Sequence, residues 1–134
     1  MFSSNAELRE RGTQIFEQLF GDGAKEAVTR DMEGLCPDFV DMTIEWAMGG
    51  ITARPGLDLV TRELLVIASC VTLGHAVTQL RAHTQAALNA GATREQIIEA
   101  ILQIKFYAGG AAVRNALVHI KDILNSTARE PSAL

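Results

Sequence analysis

The sequence predicts an all-α fold: a single-domain helical bundle of about six to seven helices around a central antiparallel helical hairpin. Apolar residues recur at helical spacing along most of the chain, and no stretch alternates in the manner of a strand. The hydrophobic share is 48% with only 5% aromatic residues, so the core must be built mainly from Ala, Leu, Ile and Val. These side chains suit closely packed helices, and 134 residues suit one domain spanning 1–134.

Three helices are predicted in the first part of the chain. They run from near Ser4 to just before Gly21, from Ala24 to about Met32, and from Pro37 to a stop at Gly49-Gly50. The segment 51–57 has no periodicity, and its Pro-Gly pair predicts a turn that carries Arg54.

Four more helices are predicted in the remainder. They run from a cap at Asp58 to about Leu73, from about His75 to Ala90, from a capping box at Thr93 and Gln96 to Tyr107, and from Ala111 to about Ser126. The first two should pair as the central hairpin because only Gly74 separates them. Residues 127–134 are predicted to be a frayed tail.

Charge and composition exclude several classes of function. A net charge of −4, with scattered basic residues, argues against a nucleic-acid partner. No run approaches the ~18 apolar residues of a spanning helix, and no secretory leader is visible, so we expect no membrane partner and a cytoplasmic protein. Cys36 and Cys70 are far apart, which predicts reduced thiols rather than a disulfide or a metal site.

His83 is the first candidate catalytic residue. Spacing places it on a helix face of small apolar residues, where an imidazole is either a proton donor in a pocket or a core histidine bonded to a carbonyl or carboxylate. Glu63 is the second candidate, because it shares one helical stripe with Ile67 and Cys70. The alternative for Glu63 is a rim residue paired with a nearby arginine.

Three further residue types suggest a binding site for a small acid. Arg54 and Arg62 have planar guanidinium groups that can hold a carboxylate through two hydrogen bonds. The alternative for Arg62 is a side chain that points to solvent. Gln79, one turn before His83, can orient the imidazole. Tyr107 can reach a pocket with its hydroxyl, although packing is its simpler role.

A histidine-based metal site is not expected. His75 and His83 lie on one helix but ~12 Å apart along its axis, too far to share an ion, and no third ligand is in register. His75 is expected at the surface, and His119 in the core or an interface.

Several motifs occur in a fixed order: Arg54-Pro-Gly-Leu57, Arg62-Glu63-Leu64, Gln79-Leu-Arg-Ala-His83, Ala86 to Glu95, and Tyr107-Ala-Gly109. Together they resemble the carboxymuconolactone decarboxylase family over about Trp46 to Ile123. The resemblance implies an alkylhydroperoxidase D-like fold and a cofactor-independent lyase acting on a small cyclic or unsaturated carboxylic acid such as 4-carboxymuconolactone. It also implies a ring-like homo-oligomer, trimer or hexamer.

By the same resemblance, His83 transfers the proton, Glu63 and Gln79 orient it, and Arg54 or Arg62 holds carboxylate groups. The chain departs from related patterns at three positions. Ala76 and Gln79 stand where the alkylhydroperoxidase D branch has its Cys-x-x-Cys pair, Gln79 also replaces an acidic residue, and Ala111 replaces a proline. A peroxidase-like or isomerase activity, or a non-catalytic oligomer that binds small acids, are the alternatives.

Overall fold

The computed structural model describes residues 4–128, and within that range it contains only helices, turns and loops. Residues 4–128 form eight α-helices and one π-helical segment: α1 (Ala6–Phe20), α2 (Ala24–Met32), α3 (Pro37–Met42), the π segment (Thr43–Thr52), α4 (Leu59–Leu73), α5 (Val77–Ala90), α6 (Arg94–Leu102), α7 (Lys105–Ala108) and α8 (Gly110–Ala128). The all-α prediction is confirmed. None of these helices is long and apolar enough to cross a membrane.

The chain divides into two compact units, residues 1–58 and 59–134. In the first unit, α1 packs along the π segment, and the core of this unit contains Phe16, Leu19, Ile44 and Met48. The two helices approach so closely that a Cβ atom at Gly49 would lie 2.1 Å from the carbonyl oxygen of Leu8.

The prediction that the third helix stops at Gly49-Gly50 was wrong. Backbone dihedrals remain helical through Met42 and Thr43, and the π segment continues to Thr52. Gly49 is required by the close approach of α1 and not by a chain break, because its missing side chain makes room for a neighbouring backbone.

In the second unit, α4 and α5 form the predicted antiparallel hairpin. Gly74 between them has a φ of 81°, which glycine adopts without strain. Glu63 near the start of α4 contacts His83 of α5, whereas Cys70 near the end of α4 shares a cavity lining with Val77 at the start of α5. This pairing of early with late residues is the signature of antiparallel helices.

The core of the second unit joins α4 and α5 to α6 and α8. Its fully or nearly fully buried members are Ile67, Cys70, Val71, Leu80, Ala87, Ala92, Ile97, Ile101, Val113, Ala116, Ile120 and Leu124. The capping box of Thr93 and Gln96 is present as predicted. Three boundaries differ from the predictions.

The segment predicted as one helix to Tyr107 is interrupted by a turn at Gln103 and Ile104, which separates α6 from α7. Helix α5 begins at Val77 rather than near His75, and α8 extends to Ala128, two residues beyond the predicted end. The rest of the predicted frayed tail lies outside the described residues.

Candidate active site

The hairpin brings a carboxylate and an imidazole into direct contact. The Nδ1 atom of His83 lies 2.6 Å from Oε2 of Glu63. The side chain of Glu63 is 2% exposed and that of His83 is 19% exposed. The carboxylate of the pair is therefore almost fully buried, and the imidazole is mostly buried but keeps some contact with solvent.

Burial explains why these two residues belong together. A carboxylate taken out of water is costly unless a hydrogen-bond donor or a positive charge accompanies it, and His83 supplies the donor. When Nδ1–H donates to Glu63, Nε2 is the nitrogen that lacks a proton in the neutral imidazole and gains one in the imidazolium. The arrangement can hold the ring and deliver or accept a proton at Nε2. The alternative that Glu63 is a rim residue paired with an arginine was wrong.

Cys70 completes the predicted stripe but is not equipped as a nucleophile. It is buried two helical turns after Glu63, and burial raises the pKa of its thiol, with the Glu63 carboxylate raising it further. A thiol that resists ionisation is a poor nucleophile at neutral pH. Cys70 is part of the core of the second unit, and Cys36 is exposed.

The predicted binding residues occupy different environments. Arg62 is half-buried and precedes Glu63 on α4. Gln79 lies one turn before His83 on α5, with its side chain exposed to solvent. Arg54 follows the π segment in the first unit and is exposed, and its role in binding stays a prediction.

The expectation that Tyr107 packs inside the chain was wrong. Its side chain is 89% exposed on α7, next to Phe106 at 94%. Tyr107 as a substrate-binding residue stays a prediction.

The remaining histidines lie at the surface. His75 is exposed, as expected. His119 is exposed in this chain rather than part of its core, and its carbonyl oxygen accepts a hydrogen bond from Arg81. Among the described residues, no three histidine, cysteine or acidic side chains are grouped so that they could hold a metal ion.

A second buried carboxylate, Glu45 of the π segment, was not singled out from the sequence. It is fully buried and accepts hydrogen bonds from Ser4 Oγ at 2.6 Å, from the backbone N–H of Asn5 at 3.0 Å and from Arg9 Nε at 3.0 Å. Arg9 also donates to Asp41 at 2.6 Å. A lone acidic residue inside the apolar run 44–48 was the only available signal.

Hydrogen bonding sets the ionisation of this network. The bond from Ser4, helped by those from Asn5 and Arg9, lowers the pKa of Glu45 against the opposing effect of burial. The bond with Asp41 raises the pKa of Arg9. Glu45 therefore stays ionised and ties the start of α1 to the π segment.

A bidentate ion pair connects α5 with α8. Arg81, two residues before His83, donates from its two terminal nitrogens to the two carboxylate oxygens of Asp122 at 2.7 and 2.8 Å. This bond lowers the pKa of Asp122 to about 2. The pair is largely exposed, so it contributes little to stability and mainly holds α5 and α8 in one orientation.

Comparisons with known proteins identify the family of this chain. The chain is 30% identical to the 4-carboxymuconolactone decarboxylase of Acinetobacter baylyi over 84% of its own length and 83% of that protein. It is 29% identical to the nitrosuccinic acid decarboxylase of Metarhizium robertsii over 92% of its length and 88% of that protein. An uncharacterised 15.0 kDa protein of Paracoccus denitrificans is 39% identical over 78% of the chain and 86% of that protein. Residues 37–121 match the model of the carboxymuconolactone decarboxylase family, and the chain belongs to that family.

Proposed function

We propose that this protein is a cofactor-independent decarboxylase of a small carboxylic acid, with His83 as the proton-transfer residue and Glu63 as its positioning partner. The observation that carries the proposal is the 2.6 Å contact between a buried carboxylate and a partly exposed imidazole. Family membership supports the reaction class.

The names of two relatives narrow the substrate class. 4-Carboxymuconolactone and nitrosuccinic acid are both small acids that carry a second electron-withdrawing group, a lactone carbonyl in one and a nitro group in the other. Either group can accept the electron pair released when a carboxylate departs. We therefore propose a substrate in which the carbon that loses the carboxylate is conjugated with such an acceptor, so that the acceptor takes up the electron pair left behind.

The proposed reaction requires two steps. The bond between the carboxylate carbon and the substrate skeleton breaks, carbon dioxide leaves, and the electron pair delocalises into the acceptor group. The His83 imidazolium then donates its Nε2 proton to the skeleton or to its conjugated oxygen, and solvent reprotonates the ring. Glu63 stabilises the imidazolium and fixes its orientation, while a site poor in water favours loss of the carboxylate charge.

The remaining predicted residues have binding roles in this proposal. Arg62 is half-buried and precedes Glu63 in the sequence. Partial burial suits a cation that binds a substrate carboxylate and still contacts solvent. The role of Arg54 as a carboxylate ligand stays a prediction from the sequence. Gln79 and Tyr107 are proposed to contact the substrate from their exposed positions.

Release of carbon dioxide from a panel of small acids tests the proposal. The panel should contain 4-carboxymuconolactone, nitrosuccinic acid and saturated analogues that lack an electron acceptor. We expect turnover only of acids with an acceptor, and a loss of about 10²–10⁴-fold in kcat for His83→Gln. His75→Gln is the matched control, because His75 is an exposed histidine near the start of the same helix.

Two results would contradict the proposal. One is a folded wild-type protein that binds these acids without turnover, which would favour the non-catalytic alternative. The other is equal activity of His83→Gln and wild type. Dependence of activity on a thiol reductant would point instead to the peroxidase-like alternative.

We also propose that the protein forms a homo-oligomer, a trimer or a hexamer. Helix α4 exposes Leu65 and Leu73 at 55% and 61%, and α7 exposes Phe106 and Tyr107 almost completely. Large apolar side chains exposed close together in sequence are typical of surfaces that a partner covers. Assembly would bury these side chains.

A further inference from the structure

The helix that carries His83 is also clamped to α8 by an arginine. Arg81 donates hydrogen bonds to the two carboxylate oxygens of Asp122, at 2.7 and 2.8 Å, and to the backbone carbonyl oxygen of His119. Asp122 and His119 both belong to α8. Because the guanidinium group is planar, these bonds restrict the direction of approach as well as the distance. Together they form a clamp between α5 and α8.

The clamp and the candidate catalytic pair connect α5 to two different helices. Successive residues of an α-helix project about 100° apart, so Arg81 and His83 project about 160° apart around the helix axis. Leu80 and Ala87 project between them and are 3% and 0% exposed. His83 therefore connects α5 to α4 through Glu63, whereas Arg81 connects it to α8. A rotation of α5 about its axis would disturb both connections.

Packing restricts such a rotation less than a row of large side chains would. The buried residues of α5 are Leu80, Thr84, Ala86 and Ala87, and only Leu80 has a large side chain. Helices interlock through ridges of side chains, to which alanine contributes little. The clamp therefore adds a directional restraint to a helix with few large side chains in its interface.

We propose that Arg81 is a positioning residue that acts on the proton transfer through His83. This inference rests on the proposed function, because it assigns Arg81 a role at that same site. A side-chain tip lies roughly 5–6 Å from the helix axis, so a rotation of about 10° moves it by about 1 Å. Such a shift would lengthen the 2.6 Å contact between His83 and Glu63 beyond hydrogen-bond distance. A misplacement of about 1 Å can cost ~10²-fold in rate.

The exposure of the clamp supports a positioning role over a stabilising one. The side chains of Arg81 and Asp122 are 42% and 65% exposed, and ion pairs at the surface contribute little to stability. The bond from Arg81 lowers the pKa of Asp122 to about 2, so the carboxylate is ionised and can hold the arginine at neutral pH. Arg81 touches neither reacting group in this proposal.

Steady-state kinetics with an acid that the protein decarboxylates test the inference. Arg81→Met should lower kcat about five- to tenfold and change KM less than about twofold, because orientation is lost and substrate contacts remain. Asp122→Asn should lower kcat less, since the bond from Arg81 to the carbonyl of His119 remains. Arg114→Met is the matched control and should keep the wild-type kcat, because Arg114 is an exposed arginine that donates to Asn115 on its own helix.

A combined variant distinguishes action through His83 from a general effect. In the His83→Gln background, Arg81→Met should cause no further loss of the residual kcat, because no imidazole remains to be positioned. The Tm of Arg81→Met should lie close to that of wild type.

NMR of the His83 imidazole tests its position without turnover. In protein labelled with ¹⁵N-histidine, the Nδ1 proton at the contact with Glu63 should exchange with solvent at least about threefold faster in Arg81→Met than in wild type or Arg114→Met. The signal can be assigned by its absence in His83→Gln. Because no substrate is needed, a wild-type protein that releases no carbon dioxide would contradict the proposed function, and the exchange rate would still decide whether Arg81 positions His83.

Four outcomes would overturn the inference. The first is an unchanged exchange rate in Arg81→Met, whatever the kinetics show. The second is an unchanged kcat of Arg81→Met in a wild-type protein that turns over, or an equal loss in Arg114→Met. The third is a loss that multiplies in the His83→Gln background. The fourth is a Tm more than about 5 °C below that of wild type, because the clamp would then act on stability.

Discussion

At the scale of single residues, the contact between Glu63 and His83 explains why each side chain is stable at its position. An isolated glutamate in an apolar helix interface would favour its neutral form, whereas a nearby imidazole can donate a hydrogen bond to the carboxylate. The same contact holds the imidazole in one orientation, and an ionised Glu63 carboxylate can only accept there, so Nδ1 is the nitrogen that donates to it. The chemistry that we propose therefore depends on a pair and not on His83 alone.

Replacement of Glu63 tests this dependence through kcat. Glu63→Gln removes the carboxylate that contacts Nδ1 but leaves the imidazole in place, so it should reduce kcat less than His83→Gln does. The rates should be measured on variants shown by circular dichroism to be folded. A kcat of Glu63→Gln equal to that of wild type would mean that Glu63 does not position the imidazole.

At the scale of elements, α1 and the π segment of the first unit are held together by a close backbone contact and by hydrogen bonds to a buried carboxylate. Glycines lie where α1 contacts the π segment, and their lack of a side chain permits the close contact. Glu45 accepts three hydrogen bonds from residues at the start of α1 and just before it. π-Helical turns are uncommon and are often found at functional sites. Here the segment supplies both the glycine and the carboxylate that fix α1.

Two neighbouring glycines of the π segment give a matched test of the close contact. A Cβ atom at Gly49 would lie 2.1 Å from a backbone oxygen, whereas one at Gly50 would have no neighbour nearer than 3.4 Å. Gly49→Ala should therefore lower the free energy of unfolding by about 1–3 kcal/mol. Gly50→Ala should leave it unchanged or raise it slightly. Equal effects in denaturant titrations would show that α1 does not need the missing side chain.

The Glu45 network predicts a dependence of stability on acid. Because the pKa of Glu45 is lowered from 4.5 in the folded chain, its contribution is fully present above pH 4.5 and is lost as the pH falls through the lower folded value. Glu45→Gln should lower the Tm at pH 7 and flatten the decrease of Tm below about pH 4.5. Parallel curves for the variant and wild type, in thermal melts at several pH values, would contradict this assignment.

At the scale of the whole molecule, features that depend on neighbours in sequence were predicted better than features that depend on long-range contacts. Helical periodicity, the Gly74 turn and the Thr93 capping box depend on neighbours in sequence, and all are present. The choice of His83 and Glu63 as candidates depended on helix faces and on the family resemblance. Their hydrogen bond joins residues 20 positions apart, and periodicity could only suggest it.

Most features that the sequence did not predict depend on residues that are far apart in the chain. Partners of Glu45 lie 36 to 41 positions earlier in the chain, so no local pattern marks them. Gly49 was interpreted as a helix breaker. The backbone that it contacts belongs to α1, which is distant in sequence, so no local pattern indicates that contact. Tyr107 was expected to pack because of its residue type, but its side chain is 89% exposed on α7.

Assembly provides a prediction at this scale. Leu65→Glu places a charge on the exposed apolar face of α4, so it should weaken a homo-oligomer without lowering the helicity of the chain. Thr78→Glu adds the same charge at an exposed polar position of α5 and serves as the control. Sedimentation velocity at micromolar concentration should show a trimer or hexamer for wild type and the control. A wild-type monomer would contradict the proposed assembly.

The most direct test of the central claim is kcat/KM for the double variant Glu63→Gln, His83→Gln beside its two single variants. If the residues act as one proton-transfer unit, the double variant should be no less active than His83→Gln, because Glu63 has no catalytic role once the imidazole is gone. If the two losses multiply, Glu63 acts independently of His83, and the proposed catalytic pair is incorrect.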